Sequence, residues 1–105
     1  MEIIEVRKQL EDLPDMIYEA EVVYVNARAL YEYLDDMKKH VLSAIKEKLQ
    51  GSNPERESKA YASEVYANHL KGIMEASVKA GASAAKLHKL QNQFDSARSL
   101  NKNVI

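Results

Sequence analysis

The sequence predicts an all-α protein, a long antiparallel helical hairpin (coiled coil) forming one domain over residues 1–105, with a short N-terminal helix kinked or split off at Pro14. Three observations predict it. Helix breakers are scarce, three Gly and two Pro in 105 residues, and they punctuate the chain at Pro14 and at Gly51-Ser52-Asn53-Pro54. Apolar side chains recur at steps of three and four on both sides of the second cluster, the spacing that keeps them on one face of a helix. Six Tyr, one Phe and no Trp leave little material for a sheet.

The first segment runs from about residue 2 to residue 50. Ile3, Val6, Leu10 and Leu13 open its stripe, which continues beyond Pro14 through Ile17, Ala20, Val23, Ala27, Leu30, Leu34, Met37, Val41 and Ala44. Proline lacks a backbone donor and its ring meets the preceding turn, so Pro14 kinks this element or divides it while the stripe survives. In the polar cluster, Gly51 suits the left-handed position just after a helix and Pro54 suits the first turn of the next. The second segment runs from about residue 55 to residue 101, opened by Glu55 and Glu57, which favour the positive end of the helix dipole. Its stripe reads Tyr66, Ile73, Ala76, Ala80, Ser83, Leu87, Leu90, Phe94 and Ala97, with Leu70 alongside.

Two segments of about 47 residues, each roughly 70 Å long and joined by a short turn, pair antiparallel. Folding near residue 52 sets Glu2 against Lys102, Glu5 against Arg98, Asp15 against Lys89, Glu19 against Lys86, Lys39 against Glu64 and Glu47 against Lys59. An exposed ion pair contributes only ~0–1 kcal/mol, so these matches speak for register rather than stability. Residues 1–53 carry 7 basic and 11 acidic groups and residues 54–105 carry 8 and 5, opposite signs that suit the two halves as neighbours.

A formal charge of -1 supplies no global pull toward nucleic acid or anionic membrane, and the lack of Cys removes disulfides and thiolate chemistry. No apolar run approaches the ~20 residues a bilayer needs, and no leader pattern opens the chain, so a cytoplasmic, unprocessed protein is expected. His40, His69 and His88 are far apart and share no metal-ligand spacing. The hairpin register brings His69 near Asp35 and Asp36, and a hydrogen-bonded histidine at the seam is the favoured reading. The carboxylate pairs Asp35-Asp36 and Glu11-Asp12 read as a solvated face, because a two-helix seam offers no cleft to exclude water. No phosphate loop, nucleophile elbow or HExxH stands anywhere in the chain. The expectation is a non-enzymatic protein with no metal and no cofactor.

The surface directs attention to binding. Tyr24 and Tyr31, seven apart, share a face and favour a partner or self-association surface, tyrosine being suited to a contact that is dry at one end and wet at the other. Gly81 lies in a run of small residues, Ala76 to Ala85, where it marks a bend or a close approach. One seam leaves Tyr24, Tyr31, Val22 and Leu42 short of cover, so a two-fold antiparallel homodimer is expected, with Tyr24, Tyr31 and Gly81 at or beside the contact. Lys86, Lys89, Arg98 and Lys102, together with Lys79, form a basic strip that is the candidate nucleic-acid contact. Only Phe94 is interleaved with it for stacking, and the expected register neutralises much of it, so direct binding is not favoured.

The stretch from Pro54 to Leu70 runs Glu55-Arg56-Glu57, then the small residues Ala60, Ala62 and Ser63, then Glu64-Val65-Tyr66 and Leu70. With the Leu13-Pro14 break and Arg98-Ser99-Leu100-Asn101 near the end, it resembles small helical-hairpin proteins from the early replication and recombination regions of tailed bacteriophages. The tyrosines, and Val65 between Glu64 and Tyr66, depart from that pattern. The resemblance implies a non-catalytic phage accessory factor acting by protein contacts beside phage or host DNA-processing proteins. The alternatives are a single-strand nucleic-acid binder and an inhibitor of a host defence complex.

Overall fold

The computed structural model describes residues 2–104. Four helical segments follow one another, α1 (Ile3–Asp36), α2 (Lys38–Glu47), α3 (Asn53–Tyr61) and α4 (Glu64–Val104), with no strand among the described residues. The expected helical hairpin is what the chain forms: α1 and α2 make one arm, α3 and α4 the other, and residues 48–52 turn between them. Its residues gather into two compact units, one of Met1–Asn26 with Ala80–Ile105, the other of Ala27–Lys79.

In the first unit, Val6, Leu13 and Ala20 of α1 and Leu87, Leu90 and Ala97 of α4 are buried. Leu13, Ala20, Leu87 and Leu90 form one cluster, against which Ile17, Tyr24 and Phe94 pack. Along α1 the covered apolar positions are Ile3, Val6, Leu10, Leu13, Ile17, Ala20, Tyr24 and, in the second unit, Ala27, Tyr31 and Leu34. The steps alternate strictly between three and four, the a and d positions of a heptad.

This corrects the stripe expected beyond Pro14. The step after Ala20 is four, to Tyr24, and not three, to Val23, which is 58% exposed; Leu30 likewise yields its place to Tyr31 and is 51% exposed. Two successive steps of three turn a side chain about 60° further off the seam, which a straight pair of helices cannot follow. Tyrosine fills the position because its ring covers the seam while its hydroxyl reaches water. On α4 the expected series from Tyr66 to Ala97 is the series that is covered, with His69 completing its alternation and Leu70 exposed.

Pro14 lies inside α1 without ending it, so the N-terminal residues neither split off nor fold back, and the first helix is bent. The missing proline N–H leaves the Leu10 carbonyl without its usual donor, a loss that a bend can accommodate. The actual interruptions fall in the second unit. Met37 separates α1 from α2: its N–H still reaches the Tyr33 carbonyl at 3.0 Å and its carbonyl receives the Val41 N–H at 2.9 Å, but the helical bond to the Leu34 carbonyl is not made. Ala62 and Ser63 separate α3 from α4. There the Ser63 hydroxyl donates to the Ala60 carbonyl at 2.7 Å and accepts the Tyr66 N–H at 3.2 Å, capping α4.

The turn departs from expectation in one detail. α2 ends at Glu47 with Lys48 as its C-cap, so Gly51 stands beyond the position just after the helix, with φ 120°. A Cβ there would lie 2.6 Å from a carboxylate oxygen of Glu55. Ser52 caps α3 by accepting the Glu55 N–H at 3.4 Å, and Pro54 falls in the first turn as expected. Near the other end of α3, Tyr61 meets Tyr66 edge to face at 5.5 Å, beside the fully buried Ala60.

Leu90→Ala is expected to destabilise the protein by about 2–4 kcal/mol, the usual range for truncating a buried leucine, whereas Val25→Ala on the exposed surface stays within about 0.5 kcal/mol. Urea unfolding followed by helical circular dichroism separates them; equal effects would contradict the burial of Leu90 in the seam.

Candidate functional site

The residues singled out for binding divide between seam and surface. Tyr24 packs against the Leu13, Ala20, Leu87 and Leu90 cluster, and Tyr31 is half-buried at the next equivalent position of the heptad. Both rings therefore contribute to holding the chain's own arms together. The tyrosines that stand outward are Tyr18, Tyr33 and Tyr61, at 67%, 60% and 54% exposure. Gly81 lies within an uninterrupted α4, and a Cβ placed on it would meet nothing within 4 Å. Neither close approach within the chain nor a helix break accounts for it.

The basic residues Lys86, Lys89, Arg98 and Lys102 are all exposed on α4 in the first unit. Arg98 lies over the Phe94 ring, 5.8 Å from its centre. At 100° per residue Lys86 and Lys89 are neighbours, while Arg98 and Lys102 lie about 120–160° further round the helix, so the four do not make one strip. None of the six expected charge pairs closes. Ion pairs among the described residues include Arg28 with Glu32 at 2.9 Å, within α1, and Lys38 with Asp35 at 3.0 Å, across the break at Met37. Exposed long side chains lose conformational freedom when held together and gain little in water, which is why a matching register did not yield bridges. The Asp35 carboxylate holds the Lys38 ammonium above its ordinary value, first by hydrogen bond and then by charge. Because the folded value is raised, this contact is present at neutral pH and is lost only as alkaline pH climbs through it.

His69 finds a partner across the second unit. Its Nε2 lies 2.8 Å from the Leu34 carbonyl oxygen. A carbonyl can only accept, so Nε2 carries the proton and donates. The Leu34 carbonyl is left without a helical donor by the break at Met37, and the imidazole satisfies it. The pairing lies within one position of the expected register, but the contact is with backbone and not with Asp35 or Asp36. No cluster of three potential metal ligands occurs among the described residues, and no helix is long and apolar enough to cross a membrane.

Two grooves were not expected, although Val22 was expected to be short of cover. Tyr18, Val22 and Val25 follow at helical spacing on the outer side of α1 and line a shallow groove with Glu21 and Asn26. Beside the seam, Met16 and Val23 of α1 line a second groove with Glu19 and Ala20, closed from α4 by Ser83, Lys86 and Leu90. A signal for the latter was present in the sequence: Met16, Val23, Leu30 and Met37 repeat every seven residues, one position before Ile17, Tyr24, Tyr31 and Lys38. The expected seam stripe took in Val23, Leu30 and Met37, which hid it. Comparison with protein-family models, curated proteins and solved structures gives no match.

His69→Ala is expected to lower stability by about 1–3 kcal/mol by leaving the Leu34 carbonyl unpaired, measured by urea unfolding; an unchanged midpoint would show the bond to be idle. Gly81→Ala is expected to raise stability by up to ~1 kcal/mol through helix propensity. A loss at Gly81 in the same measurement would mean that another chain approaches that position closely.

Proposed function

We propose that this chain is a non-enzymatic accessory protein of phage DNA replication or recombination, acting in the host cytoplasm by protein contacts. The observation that carries the contact reading is the outer apolar surface of α1: Tyr18, Val22 and Val25 are 67%, 42% and 55% exposed in one helical stripe. These side chains take no part in the seam cluster, and adjoining apolar groups left in water favour a docked partner. The phage setting rests on the sequence resemblance around Glu55-Arg56-Glu57 and Arg98-Ser99-Leu100-Asn101.

One observation favours the nucleic-acid alternative. Lys86, Lys89 and Lys102 are exposed and make no ion pair with a described residue, so the neutralisation expected of the register does not count against them. Their division between two sides of α4 does, because a single-strand groove tracks one continuous face.

The test pairs two measurements. Wild-type chain, but not Val22→Glu, is expected to bring down a single-strand annealing or other DNA-processing protein from phage-infected cells, while labelled single-stranded DNA shows no salt-sensitive binding. Affinity for that DNA falling steeply with salt, and weakened by Lys86→Ala with Lys89→Ala, would replace the protein-contact reading with direct binding.

A further inference from the structure

We propose that the groove beside the seam of the first unit, floored by Met16, Ala20, Val23 and Leu90, is the contact through which two copies of this chain associate. In that dimer α1 of each copy lies over α4 of the other. Three observations carry the proposal, and it stands whether or not a foreign partner docks on Tyr18, Val22 and Val25.

The first is area. A folded monomer of 11.9 kDa is expected to expose about 6,000 Å², whereas this chain exposes 7919 Å². The excess of about 1,900 Å² exceeds the roughly 800 Å² that each partner contributes to a standard interface. The second is pattern. A two-helix seam needs apolar residues at two positions of the heptad, but α1 adds a third, the one occupied by Met16 at 46% and Val23 at 58% exposure. An apolar stripe of that width belongs to a helix covered by more than one neighbour, as in a four-helix arrangement. Towards the N-terminus Gln9 occupies the same heptad position and shares a groove with Gln93 of α4, so the apolar floor is bounded by polar groups.

The third observation is charge, and it selects both the occupant and its orientation. Glu19 edges the groove on the α1 side and Lys86 on the α4 side, and neither is in an ion pair with another described residue of its chain. A surface with an apolar floor, one acidic edge and one basic edge is complementary to itself under a two-fold rotation. A two-fold axis along the helices sets Glu19 of each copy beside Lys86 of the other. The opposite orientation, with α1 over α1, sets acid on acid and base on base and is disfavoured. Tyr24, Tyr31 and Gly81 do not line this groove.

Light scattering behind size exclusion, at micromolar chain concentration, tests this with charge reversal. Wild type is expected near twice 11.9 kDa, and E19K alone and K86E alone are expected to shift to one chain mass with unchanged helical circular dichroism. Mixing E19K with K86E re-forms both opposite-charge contacts and is expected to restore the double mass. Val23→Glu, which places a charge on the apolar floor, is expected to give one chain mass that no mixing rescues. Wild type at one chain mass overturns the proposal, as does a dimer that E19K and Val23→Glu leave intact. Either result leaves the pull-down with Val22→Glu to be judged separately.

Discussion

The structure depends on one geometric constraint: two helices can cover each other only along a narrow line. At 3.6 residues per turn that line is met by steps of three and four in alternation, and any departure swings a side chain into water. Val6, Leu13, Ala20, Leu87, Leu90 and Ala97 are buried because they fall on the line, and Val22, Val23 and Val25, equally apolar, are exposed because they do not. Hydrophobicity alone would not distinguish them. The line also explains why alanine serves as core at Ala20, Ala60, Ala76 and Ala97: where helices approach closely, a methyl group fills the space a larger side chain would force open.

A seam so narrow leaves polar groups to be satisfied where a helix gives way, and the second unit does this at both of its interruptions. His69 supplies the donor that the Leu34 carbonyl lost at Met37, and the Ser63 hydroxyl both donates to Ala60 and receives the Tyr66 amide. Each is a single side chain repairing a backbone defect. Such repairs have directional geometry, which an apolar seam lacks, and they help to keep one register among the neighbours that alternating apolar residues would tolerate. The same narrowness leaves Tyr18, Val22 and Val25 exposed on the outer side of α1, and so connects the fold to binding.

The sequence by itself determined the helical class, a turn near Gly51 that the structure sets at residues 48–52, and nearly the whole α4 seam, because periodicity, Gly51 and Pro54 are local signals that tertiary contacts had no reason to override. Ser63 followed by Glu64 also carried a legible capping signal, although the long apolar stripe concealed it. Only the tertiary structure decided the rest. Whether Val23 or Tyr24 enters the seam depends on which step keeps α1 facing α4, and both spellings look amphipathic in isolation. Whether Pro14 splits a helix or bends it depends on packing at Leu13, Ile17 and Phe94 to offset one lost hydrogen bond. Whether opposite charges at matching register close into bridges depends on exposure, and water left all six expected pairs open. The seam was therefore readable where its residues repeat without rivals. The candidate surfaces were not, because a surface is what remains after the seam has chosen, and that choice is made between two helices rather than within either.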